Sequence, residues 1–137
     1  MPFVIDASVA ASWLLPDEGR PESDQAYSKL ATDHALVPSL WWFEMRNLFV
    51  TNERRGRIDS AKTSTALALL ARLPIRIDNS VEEGPLMLLA RQYKLSVYDA
   101  AYLEIAQRKA VPLATLDVQL ADAARAEGVP LIGDSTR

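Results

Sequence analysis

Short apolar runs alternate along this chain with stretches whose apolar residues recur every three or four positions, so strands and helices should alternate from end to end. Phe3–Ile5 reads as a first strand closed by Asp6, and residues 7–15 follow at helical spacing until Pro16 and Gly19 stop them. Pro21 opens a more polar helix over about 22–31, and Ala35–Val37 is a second strand. Pro38 and Ser39 then start a long helix, 40–54, ended by Gly56. Asp59 or Ser60 caps a helix through 73, residues 75–78 form a third strand, and Pro85 sits in the first turn of a helix reaching Tyr93. Ser96 caps the helix 98–109, residues 112–115 are a fourth strand, and 118–127 the last helix. Gly128 and Pro130 lead into a fifth strand at 131–132.

This alternation implies parallel pairing through right-handed crossovers, hence an α/β fold: a three-layer α/β/α sandwich with a central parallel sheet of about five strands. Ligands of such sheets sit at the carboxyl ends of the strands, where helix N-termini also point. A chain of 137 residues has the length of one ordinary domain, so 1–137 is read as a single domain.

Four acids fall where strands hand over to helices or in early helical turns: Asp6, Glu44, Asp99 and Asp117. On one sheet edge they would share a pocket, and packed carboxylates repel one another unless a cation neutralises them. With no cysteine and one histidine in the chain, the ligands on offer are oxygens, which points to Mg²⁺ or Mn²⁺.

Each acid also has a plain structural reading. Ser96-Val97-Tyr98-Asp99 fits a capping box, and Asp117 suits an N-cap. Glu44 interrupts the apolar run of a helix so rich in aromatics that it should be buried on more than one side, where Arg46 or Asn47 would have to satisfy it. Asp6, ending a buried first strand, calls for a partner or a task. One pocket explains all four together.

Composition narrows the classes. Apolar residues make up 49% and charged ones 24%, which places the chain among ordinary globular proteins rather than disordered ones. The absence of cysteine removes thiolate chemistry and fits a reducing cytoplasm. The opening MPFVIDAS has no basic segment ahead of its apolar residues and reads as a strand, not a signal peptide. No apolar stretch reaches the roughly 20 residues a membrane span needs. Glycine-rich phosphate loops are missing, which disfavours dinucleotide and nucleoside-triphosphate sites. His34, before a strand, reads as structural. Arg54, Arg55 and Arg57 close the helix that Glu44 begins, about 15 Å from the acids at about 1.5 Å per residue, and suit its C-terminal dipole better than a substrate. Trp41, Trp42 and Phe43 read as core plus a dimer or partner surface, so a homodimer is expected.

With those acids in place, nearly the whole chain resembles the PIN-domain nucleases, and within them the VapC-type toxins of toxin–antitoxin pairs. VIDASVAASWLLPDEG is similar to the family's first strand and helix, and PSLWWFEMRNLF to its glutamate helix. LSVYDAAYLEIAQ resembles its third-acid segment and PLATLDVQLADAARAEGVPLI its closing stretch. The resemblance implies a PIN-like sheet and metal-binding, catalytic acids at Asp6, Glu44, Asp99 and Asp117, with Ser8, Asn47 and Thr115 as supporting polar residues. It implies cleavage of structured RNA, with transfer RNA a common target class, and a cognate VapB-like antitoxin partner. Asp122, further along a helix, is left outside that set. Two other classes stay open: a phosphotransferase or receiver-like signalling module using Asp6, and a catalytically silent protein-binding domain. The first needs a nearby second acid or a lysine, which Asp6-Ala7-Ser8 does not supply.

Overall fold

A computed structural model describes residues 1–16 and 18–133. Four strands, β1 (Phe3–Ile5), β2 (Ala35–Val37), β3 (Ile75–Ile77) and β4 (Leu113–Ala114), form a parallel sheet in the order β3-β2-β1-β4. Seven helices are described between and after them: α1 (Ala7–Leu14), α2 (Pro21–Lys29), α3 (Leu40–Arg54), α4 (Ser60–Arg72), α5 (Glu83–Tyr93), α6 (Val97–Lys109) and α7 (Val118–Ala126). None is long and apolar enough to cross a membrane.

The topology explains the layers. From β1 to β2 to β3 the chain steps in one direction, and from β3 to β4 it crosses back to the far edge. Right-handed crossovers therefore put α1–α4 on one face and α5 and α6 on the other. In agreement, α1 packs on α2 and α3, while α6 packs on α5 and against β1, β2 and β4. Covered on both faces, β1, β2 and β4 are buried throughout, whereas the edge strand β3 is largely exposed. Phe3, Val4, Ile5 and Leu113 are fully buried, each side chain contributing about 2 kcal/mol of hydrophobic stabilisation.

Local sequence sets the helix ends. Asp6, Asp59, Ser96 and Asp117 each accept a backbone N–H at the start of α1, α4, α6 and α7, and Pro21 opens α2. Gly56, at φ +72°, takes the left-handed turn that ends α3.

Two expectations are corrected. The fifth strand is a single parallel bridge between Leu131 and Leu113: Pro130 cannot donate to a ladder, and the chain turns away after Leu131. Helix α3 is not buried on several sides, since Trp41, Met45 and Phe49 face the core while Trp42 and Phe43 stand exposed. Those two rings meet edge to face at 5.1 Å, and the Arg46 guanidinium lies 3.6 Å over Trp42. The single-domain expectation for 1–137 extends over 17 and 134–137, outside the described residues.

Candidate active site

The strand order reverses between β1 and β4, and a doubly wound sheet opens a crevice at the carboxyl ends of such strands. Asp6 follows β1 directly, and Thr115, Leu116 and Asp117 follow β4. Helix α3 brings Glu44 and α6 brings Asp99 to the same crevice, a cleft of about 520 Å³ lined by all four acids.

Asp6 is the best held. It is 6% exposed and caps α1 by accepting the Val9 N–H at 3.1 Å. The same oxygen accepts the Ser8 hydroxyl at 2.6 Å, and the other accepts the Thr115 hydroxyl. Ser8 Oγ in turn accepts the Leu116 N–H at 3.0 Å, and Thr115 Oγ1 that of Asp117 at 3.0 Å. Ser8 and Thr115 thus latch the turn after β4 onto the turn after β1.

The capping readings and the cleft readings hold together. Asp117 caps α7 through Leu120 N at 2.9 Å and still lines the cleft. In the Ser96 cap it is the backbone N–H of Asp99 that donates, at 3.0 Å, so the Asp99 carboxylate remains in the cleft. Asn47 is exposed on the cleft wall one turn beyond Glu44.

Glu44 is satisfied by neither Arg46 nor Asn47. Arg46 donates to the Trp42 carbonyl at 3.0 Å, and Glu44 Oε1 instead accepts the phenol of Tyr102. Sequence reading missed Tyr102, although a phenol one turn after Asp99, among the alanines and aliphatics of the buried face of α6, was there to be read. Glu18 is a second unforeseen wall residue, in the connection between α1 and α2. Arg57 reaches it: the guanidinium donates to Glu18 at 3.0 Å, to Asn52 at 2.9 Å and to the Pro16 carbonyl at 3.2 Å. Arg57 therefore does more than close the helix, tying the end of α3 to Glu18 without itself lining the cleft. His34 lies at the amino end of β2, away from the cleft, its carbonyl accepting the Phe3 N–H at 3.3 Å.

Burial raises the pKa of Asp6, Glu44 and Asp99 above the ordinary carboxylate values, and neighbouring acids add to it: Asp117 acts on Asp6 and Asp99, and Asp99 and Asp6 on Glu44. No lysine or arginine lines the cleft among the described residues. In this conformation no three acidic or histidine side chains among the described residues are grouped to hold one ion directly. The donors are nonetheless all hard oxygens, as Mg²⁺ or Mn²⁺ prefers, and Mg²⁺ commonly binds through one or two carboxylates while keeping several waters.

Residues 3–126 match the profile of the PIN domain. Over 125 residues, 89% of this chain and 94% of the other, the sequence is 30% identical to a Pyrobaculum aerophilum protein named Ribonuclease VapC3. The fold is similar to the crystal structure of PAE2754 from Pyrobaculum aerophilum, with a TM-score of 0.71 at 20% identity over 96% of this chain and 84% of that one. It is also similar to a toxin–antitoxin complex from Klebsiella pneumoniae, with a TM-score of 0.52 at 21% identity over 83% and 85%. Identities this low speak for the fold alone.

Proposed function

This chain belongs to the PIN-domain family, and from that premise we propose that it is an endoribonuclease, hydrolysing RNA phosphodiester bonds with a carboxylate-held Mg²⁺ or Mn²⁺ as the toxin of a toxin–antitoxin pair. The observation that carries the reading is the convergence of Asp6, Glu44, Asp99 and Asp117 on one cleft that no lysine or arginine lines among the described residues. One buried acid and three neighbours of decreasing burial that repel one another imply a cation supplied from outside the chain.

One or two of those four carboxylates would hold the ion directly, and the others would reach it through its waters. When bound, it lowers the pKa of a water and offsets charge building on the phosphate. The Asp6 carboxylate accepts from Ser8, Val9 and Thr115, so it is fixed in place rather than free to move a proton. Asp99 or Asp117, with fewer donors around the carboxylate, is better suited to accept a proton from the attacking water. The N-termini of α1, α6 and α7 favour an anionic phosphate at the same edge.

The finer assignments follow from the same reading. Transfer RNA is the proposed substrate class, a VapB-like antitoxin the proposed partner, and the cytoplasm the compartment. The exposed Trp42 and Phe43 would be covered in a homodimer.

Thermal melting and RNA cleavage, each titrated with MgCl₂ and MnCl₂ after chelation, test the proposal. Both should respond over the same concentration range. Cleavage undiminished in excess chelator would sink it.

A further inference from the structure

The hydrogen-bond pattern of the cleft acids bears on which cation they accept. Tyr102 is 1% exposed on α6, one turn beyond Asp99, and its phenol donates across the cleft floor to Oε1 of Glu44 on α3. Oε1 then has one lone pair committed to the phenol, and Oε2 is the oxygen better placed to meet a ligand. The other acids are similarly engaged: Asp6 accepts on both oxygens, and Asp117 accepts the Leu120 N–H on Oδ1.

We propose that Tyr102 is a positioning residue that makes Glu44 a one-oxygen ligand, and so favours a cation of magnesium's size over calcium in this cleft. The inference rests on the cation reading above and adds to it the discrimination between ions. Mg²⁺ demands a small, near-octahedral shell and keeps waters, whereas Ca²⁺ takes six to eight oxygens and readily accepts both oxygens of one carboxylate. A carboxylate with one oxygen tied to a buried phenol is restrained in orientation, which disfavours turning both oxygens onto one ion. Pulling it free would leave a buried hydroxyl without an acceptor, which opposes the change.

Tyr102→Phe removes the hydroxyl and keeps the ring. Melting curves of the parent and this variant, titrated separately with MgCl₂ and CaCl₂, give the ratio of half-saturating concentrations. That ratio should move about fivefold towards calcium in the variant, and magnesium-supported cleavage should fall about tenfold. A ratio within about twofold of the parent's overturns the inference. If neither cation raises the melting temperature of the parent, the cation reading itself fails, a distinct result.

Adding Tyr102→Phe to Glu44→Gln should move the ratio no further; an additional shift would mean that the phenol acts elsewhere and would overturn the positioning role. Should Tyr102→Phe not fold, infrared spectra of the parent with ¹³C-labelled glutamate decide instead. The carboxylate bands absent from Glu44→Gln should be those of a monodentate group with magnesium, and a bidentate pattern refutes the inference.

Discussion

Helix α6 carries Asp99 near its start and Glu104 further along, and the two acids lie in opposite surroundings. Glu104 is 1% exposed, more deeply buried than Asp99, yet it is answered within the chain: Arg108 donates to it at 2.7 and 3.1 Å, and the Glu82 N–H at 3.3 Å. The same guanidinium holds Asp78, just past β3, at 3.1 and 3.3 Å. Burial alone would raise the Asp78 pKa, but Arg108, the Ser80 N–H and Lys109 together bring it below the ordinary value. In the cleft the direction reverses, because Asp6, Glu44 and Asp99 have burial and neighbouring acids, and no lysine or arginine lines the cleft among the described residues. Burial of a carboxylate is therefore no mark of function in this protein. What sets the cleft acids apart is burial without a matching charge.

The largest effect should come from Asp99→Asn. Asparagine keeps the backbone N–H that Ser96 caps, so α6 should start as before. RNA cleavage should nevertheless fall about a hundredfold or more, and most of the magnesium-induced rise in melting temperature should disappear. Without metal the variant should melt at or above the parent's temperature, since one repelling charge is gone. Full cleavage activity would remove the contrast between the two regions.

Arg108→Met strikes the other cluster. It leaves the buried Glu104 without its cation and Asp78 with Lys109 alone, at 3.9 Å, and should cost about 3 kcal/mol in denaturant melts, with the magnesium response retained. A loss under about 1 kcal/mol would mean that this cluster is not held by charge pairing.

The smallest effect, and the sharpest on the comparison, concerns pH in the absence of metal. For the cleft acids, whose folded pKa values are raised, the folded state holds more protons than the unfolded one between the two pKa values. Stability should therefore fall as pH climbs from the ordinary carboxylate range through the raised values. Asp78 runs the other way: its contribution is present above the ordinary value and is lost as pH drops through its lowered one. Chemical denaturation across the acid range should show both limbs. Saturating magnesium should flatten the first, and Arg108→Met should weaken the second, leaving Asp78 to Lys109 and the Ser80 N–H.

Much of this was legible in the chain itself. The capping positions Asp59, Ser96 and Asp117 marked helix starts, because capping is a local contact between neighbours in sequence. The alternation of strand and helix gave the sheet its parallel sense, and the four acids fell at the edge where parallel sheets bind ligands. The fifth strand failed for want of a second rung: two apolar residues after a proline can bridge a neighbour once without extending a ladder.

What only the tertiary structure decided are the pairings between distant segments. Glu44 with Tyr102 lies 58 positions apart, Asp6 with Thr115 109, and Arg57 with Glu18 39. Which aromatics of α3 face outward was equally beyond local reading, since Trp41, Trp42 and Phe43 are alike in sequence and differ only in what packs against them. Periodicity and capping depend on residues a few positions apart, so a sequence carries them openly. The partner of a long side chain depends on how crossovers bring elements together, and the polar residue that meets a buried carboxylate is chosen by that packing.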